Sequence, residues 1–171
     1  MIDGPEFSRE LEIARVPSGG RGFAIVADAA ERAALADRFD LVAIADLRAS
    51  GRLAWLPGGE VLVLEGRLEA EVTQRCVRTL EPVPARLSVP LRRSFVTQLA
   101  GPEAIVVDPE ADEPEPLEGG RLDLGEIAAE ELLLALDPYP KLAAEQGERA
   151  SIEAAGSSDR AAPRAPTGGA G

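Results

Sequence analysis

Histidine and asparagine are absent from this 171-residue chain, and Cys76, Trp55, Tyr139 and Lys141 are each the only residue of their kind. A single cysteine excludes an intramolecular disulfide, and without histidine a mononuclear zinc site would have to be built almost wholly from carboxylates. The same gap removes the base of a Ser/His/Asp or Cys/His mechanism. No metal and no cofactor are therefore expected. No apolar run approaches the length of a membrane-spanning helix, and the start Met-Ile-Asp-Gly-Pro-Glu-Phe lacks the basic and apolar regions of a secretory signal, so the expected location is the cytoplasm. Gly19-Gly20-Arg21-Gly22 has neither the spacing nor the strand-then-helix context of a nucleotide loop.

Acid is what the chain has in excess. The formal net charge of -12 argues against generic binding to nucleic acid, which needs cationic contacts that release counterions. The distribution qualifies this. Between Val61 and Thr97, six arginines (Arg67, Arg75, Arg78, Arg86, Arg92, Arg93) face four glutamates, whereas from Gly101 to Pro140 only Arg121 opposes twelve acids.

The clearest pattern lies from Val61 to Cys76. Leu62, Leu64, Leu68, Ala70, Val72 and Cys76 share one parity, and Glu65, Arg67, Glu69, Glu71 and Arg75 the other, which is the period of a half-buried strand. At about 3.3 Å per residue it would span roughly 50 Å, too long to stay flat, and Gly66 is the expected place for a bulge or bend. Ala85, Leu87, Val89 and Leu91 alternate downstream, so the two form a wide antiparallel hairpin whose joining segment holds Pro82 and Pro84.

Upstream, Phe7–Val16 reads as a short strand and Gly22–Val26 as its return. Asp28 and Glu31 form a cap for an alanine-rich helix to Phe39. Leu41–Leu47 and a short segment through Leu53 and Trp55 read as strands separated by a turn at Ser50-Gly51. A second helix starts at Asp123, with Glu126 three residues on and Leu124, Ile127, Ala128, Leu132 and Leu136 as its apolar stripe, and stops at Pro138 and Pro140. The expected fold is α+β: a mostly antiparallel, partly closed, barrel-like sheet with a short early helix and a C-terminal helix docked on it. Residues 1–144 form one domain, 102–120 an acidic, mobile loop and 145–171 a disordered tail.

Candidate chemistry is sparse. Cys76 reads as a buried small hydrophobe, because nothing supplies it with a base. Asp123, Glu126, Glu130 and Glu131 could be paired acids, but a cap and a solvated helix face account for them, and no enzyme is expected. The hairpin arginines are strand-surface partners of Glu65, Glu69 and Glu71, and become a phosphate-binding face only where several gather on the exposed side.

Two stretches carry a family likeness: Val72-Thr-Gln-Arg-Cys-Val-Arg-Thr-Leu-Glu-Pro-Val83, and Gly120-Arg-Leu-Asp-Leu-Gly-Glu-Ile-Ala-Ala-Glu-Glu-Leu-Leu-Leu-Ala-Leu-Asp-Pro-Tyr-Pro140. In order and spacing they resemble the YceD family, the large ribosomal RNA subunit accumulation proteins, through Cys76, Leu80, Pro82, Leu122, Asp123, Leu124, Glu131, Leu134, Leu136 and Pro140. The resemblance implies a non-enzymatic ribosome-assembly factor that supports accumulation of large-subunit (23S) ribosomal RNA, with the precursor RNA or ribosomal proteins on it as partners. Many members carry a Cys-x-x-Cys pair at the hairpin corner, where this chain has Cys76 and Thr79. It looks like a branch without the metal site, its corner held by packing of Val77, Leu80 and Val83 and by Pro82 and Pro84. RNA contact is expected from Arg67, Arg75, Arg78, Arg86, Arg92 and Arg93. The alternative is a protein-only adaptor or chaperone that binds a basic partner through its acidic loop, from Asp108 to Glu118.

Overall fold

The computed structural model describes residues 4–97 and 114–142. Its elements are β1 (Glu10–Glu12), a 3-10 turn (Ile13–Arg15), β2 (Arg21–Val26), α1 (Ala29–Arg38), β3 (Ala43–Trp55), β4 (Val61–Arg75), β5 (Pro82–Thr97), β6 (Glu115–Leu117), β7 (Arg121–Asp123) and α2 (Leu124–Ala135). β2 to β6 form a five-stranded sheet in sequence order, antiparallel except where β6 runs parallel to the end of β5. β1 pairs with β7 in a separate ribbon. Thus the first strand does not pair with its expected return; it ties the N-terminal segment to the start of α2.

The fold is α+β, but the sheet is open, which corrects the barrel-like expectation: β2 and β6 are its two edges and do not meet. Chemistry at the β5 edge explains why. The Cys76 N–H donates to the Glu81 carbonyl and the Thr97 N–H to the Glu60 carbonyl, so odd positions of β5 bond β4 and even positions turn their backbone groups outward. Pro82, Pro84 and Pro90 occupy three of those even positions, and each lacks the N–H that a closing strand would need there. Helices rather than a returning sheet cover the apolar side. α1 lies over β3, and α2 packs on β4 and β5.

β4 matches the alternation closely. Leu62, Leu64, Leu68, Ala70 and Val72 are buried under the helices, while Glu65, Arg67 and Glu69 are exposed on the other face. There is no bulge at Gly66, which sits in regular register opposite Gly51 and Leu91. A Cβ on Gly51 would collide with the Glu65 carbonyl and lie 2.6 Å from the Gly66 Cα. Gly51 therefore marks a close crossing of two backbones and not a turn, and β3 runs unbroken through it. The register breaks instead between Ile44 and Asp46. That bulge shifts the parity of β3, so that Ile44 and Leu47 both reach the core.

Both helices start as their caps require. Asp28 accepts the Glu31 N–H at 2.9 Å and Glu31 accepts the Asp28 N–H at 2.8 Å. In α2 only half of this box exists, because the Glu126 carboxylate reaches across to Arg38 at 3.0 Å. Of the expected loop 102–120, residues 114–120 are described and include β6; the rest, like the expected tail, lies outside the described residues.

Candidate nucleic-acid interface

Strand parity divides the charged residues of the sheet. Arg67, Arg75, Arg86 and Arg92 all project from the face opposite the helices, and all are exposed. Arg48 and Arg52 of β3 join them through the pairings Arg48↔Glu69 and Arg52↔Glu65. Among the described residues nothing covers this face, on which arginine and carboxylate alternate across strands. Arg48 meets Glu69 at 2.9 Å, Arg86 meets Glu71 at 2.9 Å and Arg92 meets Glu65 at 3.9 Å, while Arg67 donates to the Ser88 hydroxyl at 2.9 Å. Exposed pairs of this kind contribute little, so an incoming phosphate can displace a carboxylate at small cost. Six arginines (Arg48, Arg52, Arg67, Arg75, Arg86, Arg92) outnumber the four acids (Asp46, Glu65, Glu69, Glu71) on this face of an acidic protein.

Arg78 stands at the end of this face, exposed in the turn between β4 and β5. Arg93 does not join the group. It continues the inward parity of Ala85, Leu87, Val89 and Leu91, and its side chain, only 18% exposed, is held by Glu130 at 2.8 Å, Glu131 at 3.0 Å and Glu115 at 3.5 Å. Burial by itself pulls the Arg93 pKa down, and Glu115, Glu130 and Glu131 together outweigh it and hold the pKa above its ordinary value. Arg93 clasps α2 and β6 to β5.

The candidate acids are thereby occupied. Besides the Arg93 clasp, the Asp123 carboxylate accepts four hydrogen bonds: from the Ser8 hydroxyl at 2.6 Å, the Arg9 N–H at 2.7 Å, the Gly125 N–H at 2.9 Å and the Glu126 N–H at 3.3 Å. It caps α2 and binds the N-terminal segment to it. Among the described residues no group of three or more His, Cys, Asp or Glu could hold a metal ion, and no helix is long and apolar enough to cross a membrane.

At the corner, Cys76 is fully buried. The Thr79 side chain, hydrogen-bonded to the sulfur, lowers the thiol pKa most. Backbone hydrogen bonds from Thr79, Arg78 and Leu142 act the same way, against burial. Leu80 closes the turn with its N–H on the Cys76 carbonyl at 2.9 Å, and the Val77 N–H reaches the Pro140 carbonyl at 3.0 Å. Val77 and Leu80 do not pack inward as expected; they are 50% and 71% exposed. Backbone hydrogen bonds and the sulfur's donors hold the corner in place of apolar contact.

Of the remaining family-motif residues, Leu122 and Leu124 are core, Leu136 lies against it, Pro140 is buried, Pro82 guards the sheet edge and Leu134 is exposed. Sequence reasoning missed Arg48 and Arg52, which strand alternation from Leu47 and Leu53 would have placed outward had β3 not been divided at Gly51.

Fold and site together define an α+β protein with one helix-covered and one bare, arginine-bearing sheet face. The chain belongs to the YceD family, described as large ribosomal RNA subunit accumulation protein YceD, whose match spans residues 64–163 and so begins within β4. No curated protein and no solved structure is similar enough to match it.

Proposed function

We propose that this protein is a non-enzymatic assembly factor that supports accumulation of large-subunit ribosomal RNA by contacting precursor RNA through the bare face of the β4–β5 hairpin. The family supplies the process. The observation that carries the contact is the gathering of Arg67, Arg75, Arg86 and Arg92 on one exposed face, with Arg78 at its end. The exposed pairs of Arg86 with Glu71 and Arg92 with Glu65 can exchange carboxylate for phosphate. Arg93, engaged with three carboxylates on the other side, is no part of this surface.

The test is charge reversal. Arg75→Glu, Arg78→Glu and Arg86→Glu combined lie outside the core, so the variant should fold as the parent does. It is expected to lose co-sedimentation with the precursor large-subunit particle at moderate salt. Unchanged co-sedimentation, with folding verified by circular dichroism, would remove the RNA contact from this face.

A further inference from the structure

Six aromatic residues occur in the chain. Five of them, Phe7, Phe23, Phe39, Trp55 and Phe95, are buried or half-buried in or against the core. Tyr139 alone stands out, 72% exposed. Its backbone is nonetheless held on every side. Pro138 and Pro140 flank it and narrow its conformational freedom. Its own N–H donates to the Asp137 carboxylate at 2.8 Å, the Gln74 side-chain amide donates to the Asp137 carbonyl at 2.9 Å, and the Val77 N–H donates to the Pro140 carbonyl at 3.0 Å. A solvent-facing ring carried on a backbone held in this way is offered to a planar ligand with little backbone freedom left to lose on binding.

The surroundings narrow the choice of ligand. The bond from Val77 to Pro140 brings the backbone that carries Tyr139 and Lys141 against the backbone that carries Val77 and Arg78. Leu80, 71% exposed, is kept at φ 62°, a left-handed conformation that a leucine adopts only under constraint. Among the described residues cations exceed acids at this corner: Arg75, Arg78 and Lys141 against Glu81 and Asp137, whose carboxylate is already turned to the Tyr139 N–H. Aromatic, apolar and cationic groups in one place suit a flexible polyanion with flat bases, and the corner adjoins the arginine-bearing sheet face.

We propose that Tyr139 is a stacking platform for an unpaired base of single-stranded RNA, with Val77 and Leu80 beside the base and Arg78 and Lys141 near its phosphates. The inference rests on the RNA contact proposed above and adds which form of RNA is taken: an unpaired strand that leaves the sheet face at the hairpin corner. Stacking of this kind tolerates any base and loses about fivefold to a hundredfold in affinity when the ring is removed.

The experiment is fluorescence anisotropy of the full chain with a short labelled single-stranded oligoadenylate and with a fully paired RNA duplex of the same length. The parent is expected to prefer the single strand. Tyr139→Ala should lose about fivefold to a hundredfold on the single strand and little on the duplex, Tyr139→Phe should restore binding, and Tyr139→Leu should not. Tyr139→Ala binding the single strand as tightly as the parent, while the triple arginine reversal abolishes it, would overturn the stacking role and leave the sheet-face contact standing. Equal loss on strand and duplex, or full rescue by leucine, would also overturn it. No RNA binding by the parent would overturn both. If Tyr139→Ala spared RNA but released a bound protein, a peptide partner would replace the base.

Discussion

Glu31 shows how one side chain can serve two boundaries. Its carboxylate closes the capping box of α1 and receives the Arg9 guanidinium in a two-pronged pair at 2.7 and 3.0 Å. The hydrogen bond from Arg9, ahead of the opposing effect of burial, lowers its pKa from the usual 4.5. A carboxylate whose pKa is lower folded than unfolded contributes stability that is fully present above the unfolded value and is lost as pH falls through the folded one. The urea midpoint of the parent should therefore drop below about pH 5 more steeply than that of Glu31→Gln; identical slopes would show that the pair contributes nothing. The cap was legible from Asp28 and Glu31, but the partner was not, because Arg9 arrives from 22 positions away. Arg93 was legible in principle. Continuing the inward parity of β5 by one step places it under α2, where Glu130 and Glu131 meet it, whereas counting it among a run of arginines hides this.

At the scale of elements, β4, α1 and α2 follow their periodicity because each buries one face against a common core, with Leu68 and Leu132 fully enclosed. What periodicity could not supply was how strands meet their neighbours. Gly51 looks like a turn residue until Gly66 is seen opposite it, and the bulge at Ile44 and Asp46 depends on register alone. Closure of the sheet is likewise a property of edges, and here prolines remove three outward donors from β5. Replacing Pro84 and Pro90 with valine restores two outward donors on β5 without touching the core. The double variant should self-associate through this edge, seen as a concentration-dependent rise in mass by light scattering, with the sheet intact by circular dichroism. A strictly monomer-like, concentration-independent profile identical to that of the parent would show that the prolines do not guard the edge.

At the scale of the molecule, the charge is partitioned by use. Arginines on the helix-covered side bind elements together, Arg9 to Glu31, Arg38 to Glu6 and Glu126, and Arg93 to Glu115, Glu130 and Glu131. Those on the bare side meet at most exposed partners. Composition alone favoured a protein that avoids nucleic acid, and the family likeness was needed to weigh a local surplus of arginine against a net charge of -12. Such a protein should hold RNA only where its arginine face can reach, with a steep dependence on salt.

The most direct measurement is a tagged pull-down from growing cells, divided into RNase-treated and untreated halves, with RNA and proteins quantified in both. Precursor large-subunit RNA and its proteins should be enriched in the untreated half and lost after RNase. A single basic protein persisting through RNase, with no precursor RNA enriched, would contradict the account and assign the chain to protein capture.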